Sequence, residues 1–125
     1  MSMKPSQELK KILDNYWEAK LRRSPSLATF TGDYRFNDQL EKFTVKTFEE
    51  GMRWLRSVER ELKSVSEKGL SVQDQISRSM LLEDIALSKE FHKIPTHYLC
   101  IDQMSGPHLG FLNIARVHPF KTLKD

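Results

Sequence analysis

Three stretches of the chain repeat their apolar residues with the period of an α-helix, and this pattern restricts the possible fold most. Residues three and four positions apart lie on one side of a helix, so each stretch predicts an amphipathic helix with one buried stripe. We expect these helices over 6–23, 47–67 and 71–94, with Trp17 and Leu55 as core positions. The third stripe is the widest, which predicts contacts on two sides of its helix. The stripes consist of Leu9, Ile12, Leu13, Tyr16, Trp17 and Leu21; of Phe48, Met52, Leu55, Val58, Leu62 and Val65; and of Val72, Ile76, Met80, Leu81, Ile85 and Leu87.

Residues that can cap a helix indicate where each long helix begins. Ser6 is the expected N-cap of the first helix, because its hydroxyl can accept a hydrogen bond from the unpaired N–H groups there. Thr47 with Glu50, and Ser71 with Asp74, have the spacing of a capping box at the starts of the second and third helices.

Two short helices are also predicted. Pro25 suits the first turn of a helix that has Ser24 as its N-cap, and Gly32 suits a left-handed stop after it. Pro107 suits the start of a second short helix that ends at about Val117.

The segments between the helices are predicted to be ordered connections. The polar segment 33–45 has apolar anchors, which are Tyr34, Phe36, Leu40 and Phe43. Gly69 is expected to end the second long helix and Pro95 the third, near Ile94. The sequence therefore predicts an all-α fold, a single helical domain over 1–125. It has three long amphipathic helices, two short helices and an irregular C-terminal segment.

Composition excludes several classes of protein. The chain has 125 residues, of which 38% are hydrophobic, and its two Trp and seven Phe argue against a disordered chain. The single cysteine, Cys100, excludes an intramolecular disulfide. No signal-peptide pattern or membrane-length apolar stretch is present, so a cytoplasmic location is expected. The 20 basic residues outnumber the 17 acidic ones only slightly and are mixed with them along the chain. A small basic nucleic-acid-binding protein remains an alternative, and this slight excess of positive charge is the only feature that supports it.

The sequence predicts no catalytic residue, metal site or cofactor. The histidines lack the i, i+4 spacing of a helical zinc site, and no His-Glu-x-x-His occurs. His97 and Cys100 have the i, i+3 spacing of two ligands, but no second pair completes a tetrahedral set. Glu83 and Asp84 are adjacent on a helix and diverge by about 100°, so they do not form an acid/base pair.

Three parts of the chain resemble, in order, segments of one known family. They are the segment 24–33, the helix start 71–82, and the C-terminal segments 103–109 and 118–122. The pattern resembles the domain of unknown function 885 family of zincin-like metallopeptidase homologues. The positions that carry the resemblance include Ser24, Pro25, Gly32, Asp33, Asp74, Gln103, Ser105, Gly106, Pro119 and Phe120.

The resemblance covers only the N-terminal helical region of that family. Its members are several times longer, and their His-Glu-x-x-His zinc site lies far downstream, so no catalytic or metal residue is carried over. We therefore expect a non-catalytic helical module, or a truncated member of a peptidase-like family, that binds a protein or peptide. The alternative is an N-terminal fragment of a zinc-dependent hydrolase whose site is missing here.

The C-terminal segment is the expected interaction surface. The stretch 96–125 has many apolar residues for one short helix, so some should remain exposed and support self-association or capture of a helical partner. The candidate interface residues are Leu109, Phe111, Leu112 and Phe120.

Overall fold

The computed structural model describes residues 4–94, 98, 101–104 and 106–123. Within these ranges the regular elements are all helical, as the periodicity predicts: three long helices, two short ones and a 3-10 turn. The elements are α1 Pro5–Arg23, α2 Pro25–Phe30, the 3-10 turn Tyr34–Phe36, α3 Val45–Ser64, α4 Val72–His92 and α5 Pro107–Val117.

The chain separates into two compact units. The first unit contains the residues up to Trp17 together with Thr44–Ile94, and therefore most of α1 with α3 and α4. The second unit contains Glu18–Phe43 and the residues after Ile94, and therefore α2, the 3-10 turn and α5.

The core of the first unit is built from the apolar stripes of three helices. Leu9 of α1, Leu62 of α3 and Ile85 of α4 are completely buried, and each lies in the stripe that the sequence predicts. Leu13, Tyr16, Trp54, Leu55 and Leu82 are half-buried against this core. The buried members of the cluster are Leu9, Ile12, Val58, Leu62, Val65, Leu70, Leu81 and Ile85.

The prediction that Trp17 is a core residue is wrong, because 46% of its surface is exposed. Adjacent residues on a helix diverge by about 100°, so only one of the two neighbouring aromatic residues can face the core. Tyr16 takes that position and stacks on Trp54, with ring centroids 5.3 Å apart.

The predicted wide stripe of α4 is buried only in part. Leu81 and Ile85 belong to the core, but the other residues of the predicted stripe are exposed, so it does not make the predicted contacts on two sides within the described chain. The exposed ones are Val72, Ile76, Met80 and Leu87. The connection 33–45 also differs from its prediction, because Phe36 is half-buried whereas Tyr34, Leu40 and Phe43 are exposed.

The predicted capping box of α4 is confirmed. The Ser71 hydroxyl accepts from the Asp74 N–H at 3.1 Å, and Asp74 Oδ2 accepts from the Ser71 N–H at 3.3 Å. The predicted N-cap of α1 is wrong, because the helix begins at Pro5 and Ser6 lies in its first turn. Ser6 instead donates to Asp74 Oδ2 at 2.8 Å, which ties the start of α1 to the start of α4.

Helix α3 begins and ends earlier than predicted. Thr44 is the N-cap and forms a capping box with Thr47, so Thr47 occupies the third helical position and not the cap. The helix ends at Ser64, and Gly69 lies in the following turn with a φ of 92°, a left-handed conformation that suits glycine. Helix α4 ends at His92, and Pro95 lies outside the described residues.

Glu59 joins α3 to α4 through two lysines. Its carboxylate lies 2.7 Å from Lys63 Nζ and 2.9 Å from Lys89 Nζ, and hydrogen bonds from Lys63 and Lys89 lower the pKa of Glu59 to about 2. A carboxyl whose pKa is lower in the folded state stabilises the fold above its unfolded pKa, and this stabilisation is lost as the pH falls through the folded pKa.

The Glu59→Gln variant is therefore expected to be less stable than the wild type at neutral pH, with the difference shrinking as the pH falls from about 4.5 towards 2. Urea unfolding followed by far-UV circular dichroism between pH 7 and pH 2 measures this difference. Glu61→Gln, an exposed α3 residue with no ion pair in the described chain, is the matched control. A Glu59→Gln deficit that does not depend on pH would contradict the ion-pair interpretation.

Candidate functional site

In the second unit, Glu41 connects the segment after the 3-10 turn to the start of α2. Its Oε1 accepts from Ser24 Oγ and from the Ser26 N–H, each at 3.0 Å, and also from Ser26 Oγ. Ser24 is the N-cap of α2, as predicted, but its hydroxyl makes no capping bond to the helix. Glu41 therefore provides the negative group at this helix start, where an acceptor for unpaired N–H groups is favourable.

Asn37 holds α2 and the residues after α5 in the same unit. Thr29 Oγ1, on α2, lies 2.8 Å from Asn37 Oδ1, and His118 Nε2 lies 3.2 Å from the Asn37 carbonyl oxygen. The His118 ring packs on Phe120 with centroids 4.4 Å apart. These contacts place α5 beside α2 although the two helices are far apart in sequence.

A groove of about 700 Å³ lies within this unit, and we call it the α2–α5 groove. Its apolar lining comes from α2, from the connection before α3 and from α5, and much of it is exposed. Phe111, for example, is 58% exposed. The residues that line the groove are Ser24, Ser26, Phe30, Leu40, Glu41, Phe43, Pro107, His108, Gly110, Phe111, Asn113 and Ile114.

Glu41 is the one carboxylate in the lining of the α2–α5 groove. The pKa of Glu41 lies below its ordinary value. Partial burial by itself would raise this pKa, but the hydrogen bonds from Ser26 and Ser24 have the larger combined effect and lower it. The group is therefore ionised at neutral pH. No lysine or arginine of the described chain forms an ion pair with it, so a cationic group entering the groove would meet an uncompensated negative charge.

Of the four predicted interface residues, two line a concavity and two do not. Phe111 lines the α2–α5 groove, and it also lines a smaller depression of about 390 Å³ together with Phe120 and His118. Leu112 is 64% exposed and Leu109 is half-buried, and neither lines these two concavities. The expectation of exposed apolar groups in this segment is thus met by Phe111, Leu112 and Phe120.

The family-motif positions that the structure describes serve mainly in caps and turns. Asp33 caps the 3-10 turn by accepting from the Arg35 N–H, and hydrogen bonds from the Arg35 side chain hold the pKa of Asp33 below its ordinary value. Ser24, Pro25 and Asp74 lie at helix starts, and Gly106 is the N-cap of α5 with a φ of 131°. Gly32 has a φ of 86°, as its predicted left-handed stop requires. Of the remaining positions, Gln103 and Phe120 are exposed, Pro119 is half-buried and Ser105 lies outside the described residues.

The described residues contain no group of three or more His, Cys, Asp or Glu side chains arranged to hold a metal ion. His97 and Cys100, the pair with the spacing of two ligands, lie outside those residues. Among the helices in the described ranges, none combines the length and hydropathy that a bilayer crossing requires.

Sequence reasoning did not identify Glu41 or Ser26 as site residues. Glu41 lies in a polar connection and has no local motif, because the serines that hydrogen-bond to it are 15 and 17 positions earlier in the chain. Leu40 and Phe43 of that connection were predicted only as packing anchors, and both line the α2–α5 groove.

Comparison with known proteins found no matching family model, no matching curated protein and no matching solved structure. Function is therefore inferred from the geometry and electrostatics of the site.

Proposed function

We propose that the protein is a non-catalytic helical module that binds a peptide segment of another protein in the α2–α5 groove. The observation that carries this proposal is the ionised Glu41 carboxylate, without an ion pair in the described chain, inside a groove lined by exposed aromatic and aliphatic side chains. Apolar lining with a small number of placed polar groups is typical of binding sites.

The chemistry of the lining specifies the peptide. Phe30, Phe43 and Phe111 offer apolar surface to a bulky side chain, and Glu41 offers an acceptor to a lysine or arginine beside it. The occupant is therefore a segment that combines an aromatic or leucine residue with a neighbouring cation. The small size of the groove suits a weak, reversible complex, with a dissociation constant on the order of micromolar.

The serine and glutamate side chains of the groove favour binding over catalysis, because they already form hydrogen bonds with one another. Both serine hydroxyls in the groove donate to Glu41. A serine nucleophile requires a general base within hydrogen-bond reach, and His108 makes no hydrogen bond to Ser24 or Ser26. The lining therefore has the parts of a recognition site and lacks an activated nucleophile.

The proposed origin of the module is the helical region of the domain of unknown function 885 family. The order of the resembling segments supports this origin, and their cap and turn positions would be retained by a module that keeps only the helical fold. The sequence contains no His-Glu-x-x-His motif, so the proposal assigns this chain a binding role and no peptidase activity.

A peptide selection tests the proposal. A random peptide library displayed on phage is panned against the purified chain, and we expect enrichment of peptides that pair an aromatic or leucine residue with lysine or arginine. One enriched peptide is then synthesised with a fluorophore and titrated by fluorescence anisotropy. Phe111→Ala is expected to weaken its binding at least about tenfold, since an aromatic anchor in a groove carries much of the binding energy.

The control for this variant is Leu112→Ala, an exposed neighbour on the same helix that does not line the groove. It should leave the affinity within about twofold, the range of an exposed surface substitution. Glu41→Gln should remove the preference for lysine and arginine. Selection of acidic peptides, or equal losses from Phe111→Ala and Leu112→Ala, would refute the groove as the binding site.

A further inference from the structure

Helix α4 has two apolar faces on opposite sides, and one of them is buried. Leu81 and Ile85 point into the core of the first unit. At about 100° per residue, a second set of apolar residues falls within an arc of about 100° on the other side of the helix. Each of these residues is at least 47% exposed, and we call the set the α4 stripe. Its members are Val72, Ile76, Met80, Leu87 and Phe91.

The charges of α4 are divided between the same two sides. Arg78 and Lys89 lie on the buried side, where Arg78 donates to the Leu62 carbonyl at 2.9 Å and Lys89 pairs with Glu59. Glu83 lies within the α4 stripe, three residues after Met80 and four before Leu87, and it is exposed. No ion pair to Glu83 occurs in the described chain.

The position of Glu83 determines which partner the α4 stripe can accept. In a symmetric antiparallel pair of α4 helices, the overlap of the stripes is greatest when the axis passes between residues 81 and 82, midway between Val72 and Phe91. Glu83 would then face Met80 of the second copy and would have no cation opposite it. In a parallel pair, Glu83 would face its own equivalent. A carboxylate buried against an apolar side chain without a partner costs binding energy, and so do like charges opposed within an interface, so pairing with a second copy is disfavoured.

We propose that the α4 stripe is a second docking surface, which binds an amphipathic helix of another protein carrying a lysine or arginine opposite Glu83. A helix laid on an exposed stripe is recognised through apolar residues at i, i+3, i+4 and i+7. The cation would neutralise Glu83, which lies near the centre of the stripe. Glu90, at the edge of the same arc, is already paired with Lys93. This surface shares no residue with the α2–α5 groove, so either proposal can fail without the other.

Two synthetic peptides test the proposal on the full chain. Each is an amphipathic helix of roughly 18 residues, or about five turns, with an identical leucine stripe. One has lysine at the centre of the stripe and the other has glutamate. We expect the lysine peptide to bind at least about tenfold more tightly in fluorescence anisotropy, because close interfacial charge pairs contribute at this scale.

Two charge reversals identify the site. Glu83→Lys should reverse the preference so that the glutamate peptide binds more tightly. Glu61→Lys, which makes the same change of net charge at an exposed α3 position, should leave the preference for lysine unchanged. Met80→Ser should weaken both peptides without unfolding the protein, because Met80 is 67% exposed, and far-UV circular dichroism checks the fold.

Several outcomes would overturn the docking surface. Equal affinity for the two peptides would remove the role of Glu83, and equal effects of Glu83→Lys and Glu61→Lys would assign the preference to net charge alone. Self-association of the wild type that Met80→Ser abolishes would make a second copy the occupant. Binding to phosphatidylserine vesicles in place of the peptides would make the stripe a lipid-binding surface.

Discussion

Replacement of Leu62 by alanine is expected to lower the free energy of unfolding by about 2–5 kcal/mol, the largest effect of any single change considered. Leu62 is completely buried between the stripes of α1 and α4, in the same cluster as Leu9 and Ile85. Alanine at this position removes apolar contacts and leaves a cavity, because the surrounding helices relax only in part. Urea unfolding monitored by far-UV circular dichroism measures the change.

Leu87→Ala is the matched control for this substitution. It removes the same atoms from α4, but from a side chain that is 53% exposed, so the expected loss is below about 1 kcal/mol. Similar losses at the two positions would mean that Leu62 is not buried in the folded state, and the packing of α3 against α1 and α4 would then need revision.

Replacement of Arg78 by alanine is expected to cost about 1.5–3 kcal/mol, the range for hydrogen bonds to charged groups. Arg78 Nε donates to the carbonyl oxygen of Leu62 at 2.9 Å, and only 13% of the Arg78 side chain is exposed. Leu62 lies among the last residues of α3, whose carbonyl groups have no partner within the helix. Arg78 therefore caps the C-terminus of α3 from the neighbouring helix.

The ion pair of Arg78 with Glu67 is a separate and smaller contribution. Arg78 Nη1 lies 2.8 Å from Glu67 Oε1, but the Glu67 side chain is largely exposed, and exposed ion pairs contribute about 0–1 kcal/mol. Glu67→Gln should therefore cost much less than Arg78→Ala in the same unfolding experiment. If the two variants were equally destabilised, the ion pair and not the carbonyl cap would be the important interaction.

Periodicity predicted the helices well because the core uses one face of each long helix. Leu9, Leu62 and Ile85 all lie in predicted stripes and are completely buried. Periodicity states which residues share a side of a helix, but it does not state whether a neighbour covers that side. For this reason Val72 and Met80 were predicted as core residues and are exposed.

The start of α3 shows a second limit of local patterns. Thr44 and Thr47 each precede a residue three positions later that can complete a capping box, so the sequence contains two overlapping candidates. The structure uses Thr44 with Thr47, and Thr47 donates to the Thr44 carbonyl oxygen at 2.9 Å as well. The prediction used only the Thr47–Glu50 spacing, because glutamate three residues after the threonine is the usual form of the box.

The candidate site was only partly predictable from the sequence. Phe111 and Phe120 were predicted as interface residues from the excess of apolar groups near the C-terminus, and both line concavities of the second unit. Glu41 was not predicted, because its environment depends on Ser24, Ser26 and α5, which are brought together only by the tertiary fold. The spacing of residues in the sequence cannot predict the surroundings of a charged side chain when its neighbours in the fold are distant in the chain.

The hydrogen bond from Ser6 to Asp74 has a consequence for synthesis of the protein on the ribosome. The two residues are 68 positions apart, and Leu9 shares a buried cluster with Ile85, so α1 cannot complete its native contacts until α4 has emerged. At roughly 5–20 residues per second, α1 would wait on the order of seconds without the part of its cover that α4 provides. The nascent chain should therefore present Leu9 and Ile12 to chaperones during this interval.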